Sequence, residues 1–112
     1  MLFASVATFA EGENTKEVNA YDMTANMEQL GKALHLKKSQ TVPVSSVYED
    51  FCESMSKAGA AADSDKGAII RLAVESNFNK MKTVMNKKQY NKYVLLINVT
   101  LEHRGLSDYL LK

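Results

Sequence analysis

Among 112 residues this sequence has no Trp, one Pro, one Cys and two His. A lone cysteine excludes an internal disulfide framework and any multi-cysteine zinc site. Histidines as far apart as His35 and His103 match no close-spaced metal-ligand motif. Glycine is scarce at five, and Gly59 and Gly67 lack the surrounding pattern of a phosphate-cradling loop. Sustained alternation with period two is missing, as are Asn-Gly and Asp-Gly turns, so strand signals are weak throughout. No apolar run reaches the roughly 20 residues needed to span a bilayer. With Lys+Arg 14 against Asp+Glu 13, the formal charge of +1 lacks the basic excess of a dedicated nucleic-acid binder.

Chemistry-bearing constellations are equally sparse. Nucleophilic catalysis needs a nucleophile, a base and an orienting group together, and Cys52 with either histidine shows no local signature. Glu49 and Asp50 are adjacent and diverge around a helix. Met23, Met27, Met55, Met81 and Met85 all fall on apolar stripes, where methionine fills core gaps rather than binding soft metals. The chain is therefore read as non-enzymatic, with no cofactor and no metal.

What is present is a chain that is 46% hydrophobic, long enough for one small domain with its own core. Its near-neutral charge is the sum of unlike halves. Residues 1–65 carry five bases against ten acids, and residues 66–112 carry nine bases against three acids. No acid interrupts the stretch from Ser76 to Leu101, which holds Lys80, Lys82, Lys87, Lys88 and Lys92. These five lysines mark a candidate protein-contact surface. A duplex-DNA role would need arginine for base readout, which this stretch lacks.

The first ten residues, MLFASVATFA, are uncharged and mostly apolar and end in small residues before an acidic stretch. That junction reads as the end of a secretory signal peptide. The organisation expected is a signal-peptide remnant at 1–10, a polar lead-in at 11–19 and one helical domain at 20–112. Export places Cys52 in an oxidising compartment without a partner, where a buried, inert thiol is expected.

Helical periodicity recurs four times. From Ala20 to Leu34, Met23, Met27, Leu30 and Leu34 share one face, and Gly31 either weakens this helix or ends it. The next helix is expected to start close to Pro43, capped by Ser39 or Thr41, because proline is tolerated only in a first turn. Its stripe is Val44, Val47, Phe51, Met55 and Ala58, widened by Tyr48 and Cys52, with Gly59 as its stop. The third helix, Asp65 to Met85, buries Ile70, Val74, Phe78, Met81 and Met85, and Asp63-Ser64-Asp65 supply its cap. Asn86 and Gln89 have the spacing of a capping box for the fourth, which carries Tyr90, Tyr93, Val94, Ile97 and Leu101 inward. It ends at Gly105, with Leu106 folding back on Leu101. Short connections between amphipathic helices predict an all-α, antiparallel four-helix arrangement of two hairpins.

Two segments echo each other. Leu36-Lys37-Lys38-Ser39-Gln40 and Met85-Asn86-Lys87-Lys88-Gln89 each place an apolar residue, three polar ones and a glutamine ahead of an amphipathic helix. The glutamine amide can satisfy an orphan backbone group at the helix start.

This arrangement resembles the Spy/CpxP-like periplasmic proteins, whose hallmark is a Leu-Thr-x-x-Gln motif occurring twice in a small helical fold. It also resembles uncharacterised small secreted helical proteins of Gram-negative bacteria. Lys37 and Asn86 stand where that motif has threonine. The likeness covers about residues 20–106, and Met85 to Tyr93 carry most of it. It implies a periplasmic or secreted, non-enzymatic protein that meets unfolded clients or envelope components, chaperone-like or related to envelope stress. The alternative expectation is a structural or assembly subunit, such as a dimerising helical module, without client activity.

Overall fold

The computed structural model describes residues 19–111, and the expected signal-peptide remnant and nearly all of the polar lead-in lie outside them. Helices α1 (Met27–Leu34), α2 (Lys38–Ala60), α3 (Asp63–Val84) and α4 (Lys87–His103) are followed by a short 3-10 helix, Ser107–Leu111. No strand occurs among the described residues, so the all-α class is as expected.

The first helix begins later than the Ala20 boundary expected from periodicity. Asn26 caps it, its side chain accepting from the Gln29 N–H at 3.1 Å. Asn19 and Asp22 hold the preceding chain in turns instead, through bonds to the amides of Tyr21 and Thr24. Such short polar side chains compete with helix for the backbone. Met23 is nonetheless buried, because Tyr48 donates its hydroxyl to the Met23 carbonyl at 2.6 Å. Gly31 lies inside α1, and the helix stops at His35, in the left-handed region at φ 57°. Leu36 N–H then reaches the Gly31 carbonyl, and His35 N–H reaches Lys32, the paired bonds of a Schellman ending.

Pro43 does not delay α2. The helix starts at Lys38 with Pro43 inside it, and neither Ser39 nor Thr41 is its cap. Instead the Gln40 side chain accepts from the Lys37 N–H at 2.7 Å, which anchors the first turn ahead of the proline. The carbonyl that proline leaves without a partner belongs to Ser39, an exposed residue. Gly59 is not the stop either, since α2 continues to Ala60. Lys66 reaches back from α3, its Nζ donating to the carbonyls of Ala58, Gly59 and Ala61 at 2.8–3.1 Å. Next comes α3, whose N-cap is Ala62 without a side-chain bond, so Asp63 and Asp65 act through the helix dipole from the first turn.

Helix α4 starts and ends as expected. Asn86 Oδ1 accepts from Gln89 N–H at 2.8 Å, and Gln89 Oε1 accepts from Asn86 N–H at 2.9 Å. Gly105 takes φ 75°, and Leu106 N–H bonds the Leu101 carbonyl at 2.9 Å with both side chains buried.

Packing departs from two self-contained hairpins. Helices α2 and α3 lie closely together, whereas α4 touches both α3 and α1 only sparsely. The core joins Leu34, Val44, Phe51, Met55, Ile70, Met81, Tyr93, Leu96 and Leu101, all essentially inaccessible. Five expected stripe residues, Met27, Val47, Phe78, Tyr90 and Val94, are only half-buried, while Leu96, outside the expected stripe, takes an interior place.

Candidate protein-contact site

The two echoed motifs meet in space. Gln40 and Gln89 face each other, and each amide oxygen accepts from its own N-cap amide and from the opposing side chain. Each amide nitrogen also donates across to the other half. Gln40 reaches the Val84 carbonyl at 2.9 Å, and Gln89 reaches the His35 carbonyl at 3.0 Å. The paired positions keep the 49-residue offset of the glutamines, so His35 matches Val84, and Lys37 matches Asn86. Helices α2 and α4 thus begin with matching bonds around the glutamine pair. The equivalence is local to this pair: α1 has 8 residues where its counterpart α3 has 22. Leu36 and Met85 sit half-buried and buried beside the pair as the matching apolar residues. All four bonding positions of each amide are filled, which suits a cluster largely withdrawn from water.

The basic residues of the second half divide into two sets. One set binds backbone oxygens: Lys66 caps α2, Arg71 Nη1 donates to the Tyr109 carbonyl at 3.1 Å, and Arg104 Nη1 donates to the carbonyls of Asn19, Ala20 and Asp22. Arg104 and Tyr48 together hold residues 19–23 against the bundle. The expected contact lysines form the other set. Lys80 lies 3.9 Å from Asp50, both well exposed, and so faces α2. Lys82 Nζ sits 5.6 Å from the centre of the Tyr90 ring. Lys87 and Lys88 are exposed in the first turn of α4, and Lys92 is half-buried. Through the glutamine pair, Lys37 and Lys38 arrive at the same end of the bundle. Sequence reasoning placed them in the acidic half, and only the motif echo pointed to this neighbourhood.

Because α3 and α4 splay, a groove of about 490 Å³ opens between them. Val74, Phe78, Tyr90 and Leu110 form its apolar lining, and Arg71, Glu75 and Asn79 its polar edge. Phe78 stands edge-on to Tyr90 and Tyr93, with centroids 6.4 and 6.2 Å away. Tyr93 is buried and donates its hydroxyl to Asn77 Oδ1 at 2.6 Å. A second groove, about 340 Å³, lies between α1 and α2 beside Met27, Gly31 and Leu36 and contains no aromatic ring.

Cys52 is half-buried, and burial, followed by Asp22 and Glu49, pushes its thiol up to about 11. Among the described residues no group of three His, Cys, Asp or Glu side chains is placed to hold a metal ion, and no helix is long and apolar enough to cross a membrane. No protein-family model, curated protein or solved structure matches this chain.

Proposed function

We propose that this chain is an exported, non-enzymatic protein-binding module, chaperone-like or an envelope-stress adaptor. The observation that carries the reading is an open apolar groove between α3 and α4, with Lys82 over one wall. Open apolar surface edged by charge is the usual form of a protein-contact site. The likeness to Spy/CpxP-like proteins supports the chaperone and periplasmic parts, and the pairing of Gln40 with Gln89 supports treating the two motif copies as one unit. The test is aggregation of a chemically unfolded client with and without the purified chain. Suppression near stoichiometric ratios is expected, and none at several-fold excess overturns the chaperone reading.

A second reading, a structural or assembly subunit, is favoured by Leu72 and Leu95, which are 65% and 52% exposed. Sedimentation discriminates the two readings. An obligate dimer that covers both leucines and the groove, together with no client effect, supports the assembly role.

A further inference from the structure

We infer that the α3–α4 groove seats an extended peptide segment presenting apolar side chains together with acidic ones. This rests on the protein-binding reading and specifies its site and the chemistry of its partner.

The shape of the groove selects the occupant first. At about 490 Å³ its volume alone suits a small molecule as well as side chains, so its openness decides. It is open to solvent along α3 and α4, so it does not enclose a small molecule as ligand cavities do. Its floor is fixed before anything binds: Phe78 is held edge-on by two tyrosines, and Tyr93 is anchored on Asn77. The far end is fixed too, because Arg71 pins the 3-10 helix that carries Leu110. A preformed apolar trough loses little freedom on binding.

Charge selects the second property of the partner. Lys82 lies one helical turn beyond Phe78, and Lys87 lies three residues before Tyr90, so each shares a face with a groove residue. Lys82 already sits over the Tyr90 ring, where it can meet a carboxylate without uncovering the aromatic wall. Lys87 and Lys88 occupy the first turn of α4, where the helix dipole disfavours positive charge. Residues placed against a local preference concentrate at functional sites. Glu75 is the one acid of the lining, and it lies on α3 away from the lysine end. The α1–α2 groove has lysines near it but no aromatic floor, which singles out the α3–α4 groove of the two.

The experiment is fluorescence anisotropy of the full chain with a short labelled peptide alternating leucine and aspartate. Control peptides carry lysine for aspartate, or serine for leucine. The leucine–aspartate peptide is expected to bind at least roughly tenfold more tightly than either control. The surface double variant Lys82→Glu/Lys87→Glu is expected to reverse the charge preference, and Leu110→Ser to weaken all binding. Circular dichroism confirms that each variant folds. Equal affinity for all three peptides, or no effect of these variants, overturns the proposal. Loss of binding with Met27→Ser, in the other groove, also overturns it. So does a change of self-association in the groove variants with peptide affinity unaltered, which assigns the groove to a second copy. The client-aggregation assay is run on the same variants. Suppression that survives them removes this groove and leaves the protein-binding reading standing, whereas no suppression by the unaltered chain removes the chaperone reading itself.

Discussion

Gln40 and Gln89 donate to each other, at 2.8 and 3.1 Å, and each also closes the first turn of its own helix. One amide pair thus serves as helix cap and as the joint between two halves of the molecule. Local capping explains one bond per glutamine. The other bonds exist only because α2 and α4 start at the same place in space.

The pair is expected to behave as a coupled unit. Gln89→Ala takes the Gln89 partner from the Asn86 amide and the His35 carbonyl and removes two of the four bonds of the Gln40 amide, at a cost of about 2–3 kcal/mol. Gln40→Ala is milder, at about 1–2 kcal/mol, because its surroundings are half-exposed and admit water. The double variant should cost less than the sum by about 1 kcal/mol. Urea unfolding of the four proteins measures this, and strict additivity contradicts a working pair.

Two glycines are expected to respond to alanine with opposite signs. Gly31 is inside α1, and a methyl there meets Leu36 Cδ1 at an unstrained 3.9 Å. Gly31→Ala should therefore stabilise by about 0.5–1 kcal/mol through helix propensity. Gly105 is in the left-handed region at φ 75°, so Gly105→Ala should cost about 1 kcal/mol although nothing crowds the site. Thermal unfolding of the two single variants reports both signs.

The Tyr93–Asn77 bond is a buried polar pair between α3 and α4. Asn77 is 2% exposed, and its Nδ2 has no hydrogen-bond partner. Tyr93→Phe removes the donor to Oδ1 and should cost about 1–3 kcal/mol. Replacing both, as Tyr93→Phe/Asn77→Leu, should recover much of that loss, because no polar group is then left unpaired. Chemical denaturation of the single and double variants decides it.

Alkaline pH should destabilise the fold. Burial raises the Cys52 thiol to about 11 from an ordinary value of 9.0. It also raises the hydroxyls of Tyr48 and Tyr93 above 10.0. All three groups are largely neutral in both states below about pH 8, so their contribution is essentially fully present there. Above that the unfolded chain ionises first, and stability falls as pH rises through the folded values. Denaturant midpoints measured from pH 7 to 11 should be flat and then decline. At pH 8, Cys52 alkylation should be roughly tenfold or more slower in the folded chain than in urea. Equal rates contradict a shielded thiol.

Legibility followed the range of the interactions. The α4 start at Asn86–Gln89 and its end at Gly105–Leu106 were readable because every partner lies within a few residues. The α2 start was not. Pro43 is a strong local signal, and Gln40 outweighs it partly through Val84 and Gln89, 44 and 49 residues away. The α1 start departs from the periodicity for a similar reason, since Met23 fits the helical stripe but is buried from a non-helical segment that Tyr48 and Arg104 hold. The five lysines Lys80, Lys82, Lys87, Lys88 and Lys92 are all visible in the sequence. That Lys80 faces Asp50 while Lys82 covers Tyr90 depends on which helix lies opposite each.

By itself, the sequence determined the all-α class, the ends of α4, most of the core stripes and the echo between two glutamine motifs. These follow from periodicity and capping, which act over one or two helical turns. Only the tertiary structure decided that the echoed glutamines meet, that α3 and α4 splay into a groove, and that Lys66, Arg71 and Arg104 serve backbone carbonyls while Lys82, Lys87 and Lys88 stay at the surface. Those outcomes depend on which helices pack together, and packing is settled by the joint burial of apolar faces rather than by any one segment.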